Sequence, residues 1–238
     1  MSDGGDDELA AALIAGLHDR RSAWACIAWF AAEWLRRPLR PGDGLDNAEL
    51  AAVRADLTSP YPQVDRLPAA VEELYALVGH RRDLTSNQDT LLSGHQAELD
   101  PSRTVLVLRR EAQGCAAWGI RVGDLDRDDP PVVMHAGDPD AWVPYAKRWS
   151  VACLEMVLFE AVLGPGLSWD LELDDGTVAM VERRYRRLPV PELPHWSLPE
   201  VRWFAGRDVL LRVEADTWLW ALARQPEALD ALRKELAP

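Results

Sequence analysis

The sequence predicts an α+β fold, with helices packed on a mostly antiparallel β-sheet, a helical N-terminal extension and a β-rich C-terminal extension. Three observations lead there: apolar residues at helical spacing through most of the first third, a β-branched strand, turn and strand after Thr104, and alternating apolar residues between Gly- and Asp-bearing turns in the final third. The chain has 238 residues, 48% hydrophobic and 27% charged, which allows a sizeable core and excludes a disordered, collagenous or disulfide-dense chain. Three segments follow: helices and a linker over 1–44, an α+β core over 45–165, and a β-rich extension over 166–238 that ends in a helix and packs on the core.

From Asp6 to Arg37 the residues Leu9, Leu13, Leu17, Trp24, Ile27, Ala31, Trp34 and Leu35 recur at helical spacing, as one bent helix or two, with Ser22 placed to cap the second. PLRPGDG over 38–44 reads as a linker, because proline and glycine do not continue a helix without cost. Asp46 with Glu49 has capping-box spacing for a helix to about Leu57. A second helix starts at Pro68, buries Val71, Leu74, Tyr75 and Val78, and stops at Gly79. TVLVLRR, the turn EAQG and CAAWGIRV predict an antiparallel hairpin, and PVVMH a further short strand. Ser150 is placed to cap a helix whose Val151, Leu154, Val157, Leu158 and Val162 form a buried stripe ending at Gly164-Pro165-Gly166. Beyond it, Trp169, Leu171 and Leu173 alternate before Asp174-Asp175-Gly176, a hairpin signal. A proline-spaced connector around Trp196 leads to up to three short strands separated at Gly206-Arg207-Asp208 and Glu214-Ala215-Asp216, then to a helix opened by Pro226.

The formal net charge of −13 repels phosphate backbones and anionic headgroups, so nucleic acid and membrane surfaces are poor partners. The acidic start lacks the positive n-region of a secretory signal, and the most apolar stretch, 151–163, is too short to span a bilayer and carries Glu155 and Glu160, which points to the cytoplasm. Three cysteines, Cys26, Cys115 and Cys153, are odd in number and lie in apolar surroundings, as buried free thiols do.

Chemistry-bearing motifs are weak. The five histidines show no metal-ligand spacing, and no GxGxxG or GxxxxGK[ST] loop is present. Gln113-Gly114-Cys115 lacks the rest of a cysteine-protease pattern, and the pairs Asp128-Asp129 and Asp174-Asp175 fall in turns, where solvated acids are ordinary. No catalytic residue, metal or cofactor is assigned, and the chain reads as a non-enzyme. Among the eleven tryptophans, Trp142 in its Asp-rich turn is the best candidate for an exposed contact anchor.

The helix LPAAVEELYALVG, Asp83-Leu84, Gln88, the strand-turn-strand TVLVLRREAQGCAAWGIRV, Trp142 and the helix CLEMVLFEAVL follow one another in an order that resembles the SUKH superfamily. The matching features are Leu67-Pro68 before Leu74-Tyr75, Gln113-Gly114 before Trp118-Gly119, and Trp142, over 46–163. The chain departs from the family in having His80-Arg81-Arg82 after Gly79 where a glycine-rich turn is frequent, and in its long N-terminal helices and Trp-rich C-terminal extension. The resemblance implies a binding role, in bacteria as an immunity protein that covers the active cleft of a cognate toxin, with a scaffold or regulatory module for a non-toxin partner as the alternative. A basic toxin domain such as a nuclease would suit the acidic chain. The expected partner surface comprises Asp124, Asp126, Asp128 and Asp129, Asp138 and Asp140, and Trp142, brought to one sheet edge by a hairpin around PVVM. Stoichiometry and oligomeric state are left open.

Overall fold

A computed structural model describes residues 4–35, 37–137, 141–191, 193–194 and 201–237. In chain order these form α1 (Gly4–Gly16), α2 (Arg20–Glu33), α3 (Asn47–Thr58), α4 (Ala69–Val78), the single turn α5 (Arg82–Thr85), β1 (Thr90–Leu91), β2 (Glu98–Leu99), β3 (Val105–Arg110), β4 (Ala116–Arg121), β5 (Val132–Ala136), β6 (Val143–Ala146), α6 (Trp149–Val162), β7 (Ser168–Glu172), α7 (Asp175–Arg184), β8 (Arg186–Arg187), β9 (Val201–Gly206), β10 (Val209–Glu214), β11 (Trp218–Ala223) and α8 (Pro226–Leu236). This is an α+β fold with antiparallel sheets. Among the described residues, no helix is long and apolar enough to cross a membrane.

The chain divides into two units. Leu39–Glu160 forms the middle unit, and the segments before and after it, up to Pro38 and from Ala161, together form the other. The stretches that the sequence presents as separate N- and C-terminal extensions therefore share one unit.

In the middle unit, β1, β3, β4, β5 and β6 neighbour one another in that order, and β2 pairs with β3. The predicted hairpin is β3–β4, whose turn is held by Glu111: its carboxylate accepts from the Gln113 and Cys115 backbone N–H groups at 2.8 and 3.0 Å. Gly114 in that turn has φ +77°, a left-handed conformation that favours glycine. One sheet face is buried beneath helices. Trp118 of β4 borders Trp149, Ala152, Cys153 and Met156 of α6, and the Tyr75 hydroxyl from α4 donates to the Leu92 carbonyl at 2.5 Å. The Asp46–Glu49 capping box opens α3, and Leu50, Val53 and Leu57 are its buried face.

In the other unit the strand order is β7, β11, β10, β9, β8. Phe204, Leu211, Val213 and Leu219 from its strands pack with Val181 of α7 and with Leu229, Leu232 and Leu236 of α8. Gly206 is required where β9 meets Tyr185, since a Cβ there would lie 2.5 Å from the Tyr185 ring. Glu33 of α2 ion-pairs with Arg224 at 3.2 Å, and the same guanidinium lies 5.7 Å from the Trp34 ring centroid.

Four expectations are corrected. The second N-terminal helix is capped by Asp19, which accepts from the Ser22 backbone N–H at 2.8 Å, so Ser22 lies inside the helix. Asp174-Asp175-Gly176 opens α7 rather than a hairpin: Asp174 accepts from the Thr177 N–H at 2.7 Å, and β7 pairs instead with β11. Aspartate serves turns and helix caps equally, and here the caps win. Ser150 lies within the first turn of α6 and donates rather than caps. Cys115 is only half-buried, while Cys26 and Cys153 are buried, and all three thiols are free.

Candidate functional site

The register of β4 shapes a groove on the sheet face opposite Trp118. Strand alternation puts Ala117 and Gly119 on that face, beside Val107 and Arg110 of β3 and Val133 and His135 of β5. Gly119 is confined by its neighbour, because a Cβ there would sit 2.3 Å from the Leu106 carbonyl oxygen. A cavity of about 240 Å³ is bordered by Asp100, Pro101, Val107, Arg110, His135 and Trp142 together with the small residues Gly114, Ala116 and Ala117.

Trp142 forms one wall. It is half-buried, its ring meets the His135 ring edge to face at a centroid distance of 4.6 Å, and its carbonyl accepts from the Arg121 guanidinium at 3.2 Å. The adjoining Val143 is 46% exposed, one of two large hydrophobic side chains that stand out in solvent among the described residues. Asp100 holds the opposite rim. Burial acts to raise its carboxyl, but donors from Ser102, Val105 and Thr104 outweigh burial and hold it below the ordinary carboxylate value. The Trp142 indole N–H faces the same carboxylate at a geometry short of a regular hydrogen bond.

Among the described residues, the predicted acids Asp124, Asp126, Asp128 and Asp129 are not gathered around Trp142. In the β5–β6 hairpin, Val132 pairs with Ala146 and Met134 with Val143, which leaves the 122–131 loop at the start of β5 and Trp142 beyond its end. β5 has five residues, so its two ends are about 13 Å apart. Asp124 lies 3.3 Å from Arg127 across an ion pair, and Asp126 and Asp128 are exposed. The Asp128 carbonyl accepts from the Ala70 N–H at 2.8 Å, docking the loop on the start of α4. Asp129 is internal in role: it accepts from the Ser150 N–H and hydroxyl. Asp138 and Asp140 lie outside the described residues. Sequence reasoning missed Asp100, Arg110 and His135 as neighbours of Trp142; the signal available was the run of small residues Gly114, Ala116 and Ala117 at the turn and start of a strand.

A second polar cluster lies on the helix-covered face. Arg109 of β3, 4% exposed, contacts Asp89 at 2.8 Å and Glu160 at 3.2 Å, lies 3.9 Å from Glu155, and has Trp118 beneath its guanidinium at 4.6 Å. Glu160 also accepts from the backbone N–H groups of Asn87, Gln88 and Asp89, and Tyr145 donates to Glu155 at 3.0 Å. Burial pushes the Asp89 carboxyl up to about 6; Arg109 opposes this, and Glu160, Glu111 and Glu155 reinforce it. Among the described residues, no group of three His, Cys, Asp or Glu is arranged to hold a metal ion. Comparison with protein-family models, curated proteins and solved structures found no match.

Proposed function

We propose that the protein is a non-catalytic protein-binding module whose contact surface is centred on the groove beside Trp142. The groove carries the reading. At about 240 Å³ it is smaller than the ~300–1,000 Å³ of ordinary small-molecule sites and is suited to one side chain inserted by a partner. Tryptophan is a frequent binding hot spot, and Val143 extends the apolar contact next to it. The net charge of −13 favours a basic partner, whose approach a complementary field accelerates. Together with the SUKH-like order of motifs, this supports an immunity protein that acts in the cytoplasm and neutralises a cognate toxin domain, such as a basic nuclease, by covering its active site.

The test uses wild-type protein and Trp142→Ala as baits in lysate of the native host, with bound proteins identified and quantified by mass spectrometry. The expected result is a basic toxin domain held by wild type and retained at least tenfold less by the variant. A partner held equally by both places the contact elsewhere. A partner without toxin activity replaces the immunity reading with a scaffold or regulatory one.

A further inference from the structure

Strand β7 stands at one end of the β7, β11, β10, β9, β8 sheet, and its register shows which of its backbone groups the sheet uses. Leu173 donates to the Thr217 carbonyl at 2.8 Å, Ala223 donates to the Leu167 carbonyl at 2.9 Å, and between them Glu172 lies opposite Trp218 and Ser168 opposite Leu222. In an antiparallel pair only alternate residues bond to the neighbouring strand, so Leu167, Trp169, Leu171 and Leu173 serve β11. The N–H and C=O groups of Ser168, Asp170 and Glu172 therefore point to the outer edge, where no described residue bonds to them.

The side chains of the same three residues share one face, by the two-residue period of a strand. Asp170 and Glu172 are exposed, and neither has an ion-pair partner among the described residues. Acids further into the sheet are matched: Glu214 meets Arg212, and Asp216 meets Arg202. Directly across from the two unmatched acids on β11 stand Trp220 and Trp218, half-buried, with ring centroids 6.1 Å apart. Trp169 and Leu171, on the other face, pack against the core shared with α7 and α8.

An open edge of this kind accepts an added strand, and its charge selects which. A second copy of β7 is a poor occupant, since self-pairing sets Asp170 and Glu172 against their own copies, and like charges directly opposite destabilise a sheet. A strand with Lys or Arg at alternate positions reverses that sign, and its apolar stems have the Trp218 and Trp220 rings to lie toward. The net charge of −13 acts the same way at longer range.

We propose that β7 is a docking edge for an extended basic segment of a partner protein, which adds to the sheet as a further strand and sets Lys or Arg side chains against Asp170 and Glu172. Backbone bonds at Ser168, Asp170 and Glu172 supply the affinity, and the two carboxylates choose the partner. This edge belongs to the unit that lacks the Trp142 groove, and the inference does not rest on the reading of that groove.

The experiment titrates full-length protein with a capped synthetic peptide in which Lys alternates with Val, and with a control in which Glu replaces Lys. Calorimetry reads affinity, and backbone hydrogen exchange by NMR reads the contact. The expected result is saturable binding of the Lys peptide, slower exchange at the N–H groups of Ser168, Asp170 and Glu172, and unchanged exchange at Trp169 and Leu171, which already bond to β11. Asp170→Asn with Glu172→Gln is expected to weaken binding roughly tenfold, the loss of two cross-strand charge pairs, and to flatten its salt dependence. Absence of saturable binding, protection that is missing from β7 or does not alternate along it, equal binding of the Glu peptide, or an unchanged affinity in the double variant each overturns the proposal. A dimer that protects the same three N–H groups without peptide would assign the edge to a second copy and overturn it as well.

Discussion

The Asp129 carboxylate grips Ser150 twice, accepting from its backbone N–H at 2.9 Å and from its hydroxyl at 2.6 Å. Helix α6 begins one residue earlier, so this N–H is one of the first-turn donors that lack an intrahelical acceptor. An aspartate twenty-one residues upstream thus supplies the cap, and its negative charge meets the positive end of the helix dipole.

Asp129→Ala is therefore expected to destabilise the protein by about 1–2 kcal/mol, as loss of a good N-cap does. Asp126→Asn with Asp128→Asn changes two exposed side chains of the same loop. With a partner in hand, that pair is expected to slow association severalfold and flatten its salt dependence with little change in dissociation, as measured by stopped-flow binding at several ionic strengths. An unchanged association rate would remove the loop from any steering role.

Asp89 makes stability depend on pH in an unusual direction. Asp89 titrates at about 6 when folded against an ordinary 3.8, so between those values the folded state binds more protons than the unfolded one. The stabilisation is complete below about pH 4 and is lost as pH rises through about 6, an effect on the order of 3 kcal/mol at most from Asp89 alone. Groups whose titration is perturbed the other way, such as Asp100, act in the opposite sense at lower pH. Asp89→Asn keeps an oxygen to accept from Arg109 and should abolish the decline between pH 4 and 6. Urea unfolding of both proteins across pH 4–8 checks this, and parallel curves would rule it out.

Trp118 is 6% exposed, stacks under Arg109 and meets the Tyr145 ring edge to face at 6.1 Å. Trp118→Ala is expected to cost about 3–5 kcal/mol, through the cavity left behind and the loss of the ring beneath the guanidinium. Arg109→Ala should cost a similar 3–5 kcal/mol, because Asp89, Glu155 and Glu160 would lose the guanidinium they share. Chemical denaturation reads both, and an unchanged midpoint in either would show that the cluster contributes little.

The thiols should react in a fixed order. Burial pushes Cys26 up to about 12 and Cys153 well above the ordinary thiol value, whereas Cys115 is half-buried at the end of the β3–β4 turn. A native-state thiol titration is expected to label Cys115 first, with Cys26 and Cys153 reacting only on unfolding. Fast labelling of Cys153 in the folded protein would contradict its burial against the sheet.

Local signals were legible and long-range ones were not. The Asp46–Glu49 box, the β3–β4 hairpin and the three strands broken at Gly206-Arg207-Asp208 and Glu214-Ala215-Asp216 are each specified by neighbours in sequence, and the structure has them. Strand β6 passed unnoticed because Pro144 interrupts its pattern, which an edge strand tolerates. The caps at Asp19 and Asp174 show how one residue type signals a turn and a helix start alike. At the candidate site, Trp142 stood out by composition, but Asp100 and His135 join it only through sheet register, which no short window reveals. Arg109 and Glu160 did leave a trace, as charges inside otherwise apolar runs.

Because α1 and α2 share a unit with β7–β11, their partners emerge from the ribosome more than a hundred residues later, after the whole middle unit has been made. Leu9, Leu13, Ile27 and Phe30, each no more than 2% exposed in the finished protein, have no strands to cover them throughout that interval. The middle unit is free to fold while the first helices wait. Completion of the other unit is thus the late step of synthesis, and a chain stalled before β9 presents a sticky helical pair that chaperones must shield or proteases remove.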